Sequence, residues 1–197
     1  MISLIDREIV VFDLETTDSS VTRIRGDLPE IVELGAIKID RHFNCIDNYE
    51  TLVCPKNLDD YTDFSEGLTG IKKTTLSGCL EWREQWKEFA KFANYNAIKL
   101  CAWGMDFDMG VLRKESGVSF PYNQSCIDAR SMVYFYAAMQ GLNLPHCMTL
   151  TAVAKYFEIN RPAKHRALDD ALTVVKILQA IAGKESSASN YPGVSAV

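Results

Sequence analysis

A chain of 197 residues that is 47% hydrophobic and 24% charged has the length and apolar content for one globular domain with a sizeable core. Its formal net charge of −5 excludes a broad basic surface for polyanions. No apolar run approaches the roughly 20 residues that span a bilayer, which argues against a membrane partner. The first residues, Met1 to Glu8, carry acid where a signal peptide carries base. Six cysteines (45, 54, 79, 101, 126 and 147) are scattered without a C-x-x-C pair, which fits neither zinc ligation nor a disulfide framework. The reading is a cytosolic protein in which Cys101 and Cys126, among apolar neighbours, are buried thiols.

In chain order, Ile9, Val10, Val11, Phe12 and Leu14 form a β-branched and aromatic run, the signature of a strand covered on both faces. Residues 18–30 read as a polar loop, 31–39 as a second strand, and 45–54 as a third strand antiparallel to it through a turn near Asp40–Asn44. A long loop covers 55–64. A helix of about 14 residues is expected from Glu81, its core face made by Trp82, Trp86, Phe89, Ala90 and Phe92. Lys99 to Trp103 is a fourth strand and 125–128 a short fifth. Helices are expected from near Asp106 and over about 129–140, 149–157 and 164–182. The aromatic residues Trp82, Trp86, Tyr134, Phe135 and Tyr136 are assigned to the core by their helical spacing. Residues 184–197, small and polar without periodicity, read as a disordered tail behind a domain spanning 1–183. Strands first and strand–helix alternation afterwards predict an α/β domain on a mixed sheet: an antiparallel meander, then parallel strands with crossover helices. In such a sheet the site lies at the carboxyl end of the central strand.

Three stretches place acids where burial is expected. Asp13 and Glu15 are two apart on the first strand, so they share a face. Paired carboxylates that lose hydration need a cation or a shared proton. In Trp103-Gly104-Met105-Asp106-Phe107-Asp108, Asp108 shares an apolar helical stripe with Met105, Met109 and Leu112. Asp106 falls on the other side, where an N-cap is wanted, and is assigned to structure. In the last helix Asp170 lies in the stripe of Ala167, Ala171, Val174, Ile177, Leu178 and Ile181, whereas Asp169 aligns with Thr173 and Lys176 on a wet face. His165, five residues before Asp170, can lean over the same place.

Phe-Asp-Leu-Glu-Thr-Thr (12–17), Phe-Asp (107–108) and His-Arg-Ala-Leu-Asp-Asp-Ala (165–171) resemble, in order and spacing, the three motifs of the DEDDh 3′–5′ exonuclease superfamily. The resemblance covers residues 7–182. It implies a ribonuclease H-like fold with a mixed five-stranded sheet flanked by helices. It also implies Asp13, Glu15, Asp108 and Asp170 as ligands of two divalent cations, Mg2+ or Mn2+, and His165 as general base. By position Asp13 would bridge both ions, Glu15 and Asp170 would complete the site that activates water, and Asp108 would hold the second ion through water. All-oxygen ligands suit hard cations, and imidazole titrates near neutral pH. Setting four ligand carboxylates aside raises the charge of −5 to −1, so the acidity of the chain does not exclude nucleic acid. Leu14, Thr16 and Thr17 resemble positions that meet the terminal nucleotide. The implied partner is the 3′ end of single-stranded nucleic acid, RNA or DNA, shortened by release of nucleoside 5′-monophosphates. The stretch 63–71 and the Trp103-Gly104 turn resemble the enhanced-RNA-interference and sporulation-inhibitor branch, which favours RNA. A DNA exonuclease of proofreading or repair type is the first alternative, and a catalytically silent protein-binding module the second. Asp18 departs from the glycine common in relatives; it either repels an incoming strand or caps a turn.

Overall fold

The computed structural model describes residues 8–93, 99–117, 126–161 and 165–183. β1 (Ile9–Thr16) sits at the centre of a five-stranded sheet of order β3-β2-β1-β4-β5, between β2 (Ile31–Ile39) and β4 (Lys99–Ala102). β3 (Cys45–Leu52) is the edge beyond β2, and β5 (Cys126–Asp128) the edge beyond β4. β1, β2 and β3 form an antiparallel meander, while β4 pairs with β1, and β5 with β4, in parallel. The mixed sheet expected from the sequence is the one that forms.

Alternation along β1 divides the core. Val10, Phe12 and Leu14 pack on one face against α4 (Trp82–Phe92) and α5 (Met105–Ser116). Ile9 and Val11 pack on the other against α8 (Ala167–Ile181) and the start of α6 (Ala129–Gln140). Asp13 and Glu15 continue the odd-numbered series, so they rise on the α8 face. β1 runs on through both acids, and neither simply stands in solvent.

Gly35 sets how close α8 comes. It is the β2 partner of Asp13, and a Cβ built on it would fall 2.0 Å from the Leu168 backbone nitrogen and 2.3 Å from the Ala167 carbonyl carbon. The first turn of α8 therefore lies directly on the β2 backbone. Glu33, two residues earlier and fully buried, ties it down. Its carboxylate accepts from Arg166 Nε at 2.9 Å, from a second Arg166 nitrogen at 2.6 Å, and from the Ala167 backbone N–H at 2.9 Å. That last bond satisfies a helix N-terminal donor for which Arg166, the N-cap residue, offers no acceptor. Gly35→Ala is expected to cost about 3 kcal/mol through overpacking against backbone that cannot yield, a fall of roughly 10 °C in melting temperature. A melting curve that matches the wild type would contradict this packing.

Several expectations are corrected. The polar loop of 18–30 contains a short helix, α1 (Ser19–Ile24). Asp18 caps it, accepting from the Ser20 N–H at 2.8 Å and from the Thr62 hydroxyl at 3.0 Å, so the capping role expected of Asp18 is present. The long loop and the segment after it form a 3-10 turn (Leu58–Asp60), α2 (Asp63–Thr69) and α3 (Lys73–Leu76). α4 is 11 residues long, not 14. The wet face expected on α8 does not exist at Thr173, which is buried, as are Leu172 and Val175. α8 is sandwiched between the sheet and two helices, α6 and α7 (Leu150–Tyr156), so it is covered nearly all round. Trp82 and Trp86 do join the core, their rings 5.8 Å apart, but Tyr134 and Phe135 of α6 are two-thirds exposed. Cys101 is buried as expected, Cys126 only in part, and all six cysteines stand as thiols. No helix among the described residues is long and apolar enough to cross a membrane. The expected tail over 184–197 lies outside the described residues.

Candidate active site

The four acids come from three elements that meet at the carboxyl end of β1. β4 is parallel to β1 and in register with it from Ile9 to Val11, and it ends one residue later in the strand, at Ala102. The chain then turns at Trp103-Gly104 and enters α5 beside the β1 carboxylates. Gly104 adopts φ +88°, a left-handed conformation that glycine takes without strain. Asp108, one turn into α5, is buried along with Met105 and Met109, as its helical phase requires. Asp106 is not the N-cap. Gly104 holds that position, and the Met105 N–H donates instead to Asp128 Oδ2 at 3.2 Å, so β5 supplies the missing acceptor. Asp106 is left exposed at the edge of the site.

From the other side α8 brings Asp170, and His165 precedes the helix with φ +51°. Ligand atoms of Glu15, His165 and Asp170 lie within 4.8 Å of one another. Asp13, Leu14, Glu15, Asp108, His165 and Asp170 all line one cavity of about 410 Å3. Thr16 and Thr17 do not line it. Thr17 is buried, and its hydroxyl accepts from the Glu30 N–H at 3.0 Å, which serves the β1–β2 connection.

The electrostatics are those of carboxylates short of counter-charge. Burial, followed by the charges of Asp108, Asp170 and Glu15, holds the Asp13 carboxyl well above the ordinary carboxylate range. Burial and the charges of Asp170 and Glu33 push Glu15 up to about 8. Burial raises Asp108 to about 7. Asp170 is also raised by burial, but Arg161 opposes the shift. Arg161 Nε donates to Asp170 Oδ1 at 2.6 Å, and a second guanidinium nitrogen donates to Oδ2.

Four residues of the site region escaped the sequence reading. Glu33 left a signal, a lone acid in the otherwise apolar Ile31-Val32-Glu33-Leu34 run. Arg161 left none, because it arrives through a connection with no period linking it to Asp170. Phe107, partly exposed, and Arg130, whose guanidinium carbon lies 3.7 Å from where a Gly104 Cβ would be, also line the cavity.

Clustered hard oxygen donors with one imidazole beside them suit divalent cations, and among the described residues the cluster contains no thiolate that would favour a softer metal. The raised acids have a consequence for the metal-free protein. Native Glu15 and Asp108 keep their protons to higher pH than the unfolded chain does, so between about pH 4.5 and 8 the native state binds more protons. Stability from these groups is present at low pH and is lost as pH rises through 7 to 8. In EDTA the melting temperature is expected to fall by roughly 5 °C from pH 5.5 to 8.5, and Mn2+ at pH 8.5 should restore it. A melting temperature that rises over that range in EDTA would contradict the crowding of these acids.

This sheet order, with carboxylates from its central strand and two helices around one cavity, is that of the ribonuclease H-like fold. The exonuclease family model (RNase_T) matches residues 10–178, and the chain belongs to that family. The family implies divalent cations at the site. Among relatives, the DNA polymerase III PolC-type of Caldanaerobacter subterraneus subsp. tengcongensis is 27% identical over 175 residues, 88% of this chain and 11% of that polymerase. The chain thus spans a small part of the length of the curated relatives it matches. The nuclease domain of 3′hExo, a DEDDh family member crystallised with rAMP, superposes with a TM-score of 0.73 at 18% identity, covering 90% of this chain and 92% of that one. Cell-death related nuclease 4 gives a TM-score of 0.77 at 14% identity, covering 90% and 64%. These two structures share the fold.

Proposed function

We propose that the chain is a metal-dependent 3′–5′ exonuclease that removes nucleoside 5′-monophosphates from the 3′ end of single-stranded nucleic acid, with RNA preferred. The observation that carries this reading is the convergence of Asp13, Glu15, Asp108 and Asp170, with His165, on one cavity of an exonuclease-family fold. The four carboxylates would hold two Mg2+ or Mn2+ ions, which supply charge neutralisation at the phosphoryl group and ease ionisation of the attacking water. His165, beside Glu15 and Asp170, takes the proton of that water. The Phe107 ring at the cavity mouth offers a stacking surface for the terminal base, and Arg130 a positive charge for a backbone phosphate. Leu14, which also lines the cavity, would meet the terminal nucleotide. The cytosol is the compartment this reading assumes.

The RNA preference is supported by the resemblance of the stretch 63–71 and of the Trp103-Gly104 turn to the enhanced-RNA-interference and sporulation-inhibitor branch, and by a fold that matches nearly all of a nuclease domain crystallised with rAMP. A second reading, DNA as substrate, is favoured by the similarity to PolC-type DNA polymerases, which reaches 30% identity over 176 residues in that of Clostridium perfringens. Matched single-stranded RNA and DNA of one sequence, digested side by side with Mg2+, separate the two. Faster shortening of RNA is the expected result. Faster shortening of DNA would replace the first reading with the second.

A further inference from the structure

Asp170 is the acid of the cluster whose charge is already met. Arg161 grips it with a two-pronged fork, Nε on Oδ1 and a second nitrogen on Oδ2, while its remaining nitrogen donates to the Thr151 hydroxyl at 2.5 Å. Both side chains are buried, 12% and 7% exposed, so water screens the pair little. A fork of this kind uses one in-plane lone pair on each carboxylate oxygen, those that face the donor. Those are the positions that a cation chelated by both oxygens of Asp170 would need. Glu15 and His165 lie within the same 4.8 Å cluster, which leaves little room for a guanidinium and a divalent ion on the same side of one carboxylate. Their mutual repulsion at such a distance, away from bulk water, is several-fold stronger than in solvent.

We propose that Arg161 is a built-in competitor of the metal: its guanidinium holds both oxygens of Asp170 and must withdraw before that carboxylate takes a divalent ion. The proposal rests on the reading of Asp170 as a metal ligand. The bond to Thr151 on α7 gives the guanidinium a second anchor outside the cluster that it can keep when it leaves Asp170. The arrangement neutralises Asp170 without a cation and raises the metal concentration at which the enzyme becomes active. It differs from a positioning role, in which Arg161 would stay in place and hold Asp170 ready for the ion.

Titration calorimetry with Mn2+ alone, on wild type, Arg161→Gln, Arg161→Lys and Asp170→Asn, separates these roles without an activity readout. Arg161→Gln is expected to bind Mn2+ roughly tenfold more tightly, since apparent affinity is scaled down to the fraction of molecules whose Asp170 is free of the guanidinium, about one tenth for an effect of that size. Arg161→Lys, which keeps the charge but loses the fork, should fall between. The melting temperature of Arg161→Gln in EDTA should drop, and Mn2+ should raise it by more than it raises the wild type, which also reports that the variant folds. Weaker or unchanged Mn2+ binding in Arg161→Gln overturns the competitor role. Unchanged binding in Asp170→Asn overturns the ligand assignment, and the competitor role with it.

Discussion

Asp13→Asn is expected to lower the rate of 3′-end hydrolysis by roughly four orders of magnitude while making the metal-free protein more stable. The first effect follows from the position of Asp13. It stands on the central strand, between the α5 side of the site with Asp108 and the α8 side with Asp170, and the charges of both raise its carboxyl. No other acid of the cluster feels both so directly. Loss of several kcal/mol of charge stabilisation at the phosphoryl group converts, at tenfold per 1.4 kcal/mol, to an effect of that size. The second effect follows from the same crowding. An amide of equal shape removes one of four mutually repelling groups from a buried site, so the melting temperature in EDTA rises, by a few degrees. Initial rates on a labelled oligonucleotide and melting curves in EDTA measure both effects. A variant that keeps its activity would remove Asp13 from the chemistry; one that loses activity and also melts lower in EDTA would indicate a structural role.

His165→Ala is expected to reduce the rate by about a hundredfold to ten-thousandfold, the range for loss of a general base, with little change in Mn2+ affinity. The histidine lies close to Glu15 and Asp170, but it stands outside α8 with φ +51°. Its position is set by its neighbours in the chain: Arg166 is held by Glu33, and Ala167 is bonded to the same carboxylate. The wild type should lose activity on the acid side as the imidazole protonates, and the variant should lack that limb of the pH–rate profile. Retention of the limb would assign it to one of the carboxylates. A large drop in Mn2+ affinity would make His165 a ligand rather than a base.

How far the site was legible in the sequence depends on how each residue reaches it. Asp13 and Glu15 were readable because a period of two on a buried strand leaves no choice of face. Asp108 and Asp170 were readable because each breaks an apolar helical stripe, and in both cases the neighbouring acid, Asp106 or Asp169, is the more exposed one. The central place of β1 and the meander-then-parallel order followed from the succession of strands and helices. Legibility ended where the decisive contact was not periodic. The α1 helix forms in a polar stretch because Asp18 caps it and Thr62 braces the cap from 44 residues away. The N-terminus of α5 is satisfied by Asp128 from β5, so the local preference of Asp106 for a cap position was never used. Thr173 looked solvated on a helical wheel, which cannot register that α6 and α7 cover the far side of α8. Arg161 reaches Asp170 through a connection, and only the folded chain brings them together.

The most direct measurement is a time course on a 5′-labelled single strand with Mn2+, in parallel with EDTA and with Asp13→Asn. The products are identified by chromatography. The expected result is a ladder that shortens from the 3′ end with release of nucleoside 5′-monophosphates, present only with metal and absent from the variant. Cleavage that persists in EDTA, internal cuts, or a variant as active as the wild type would contradict it.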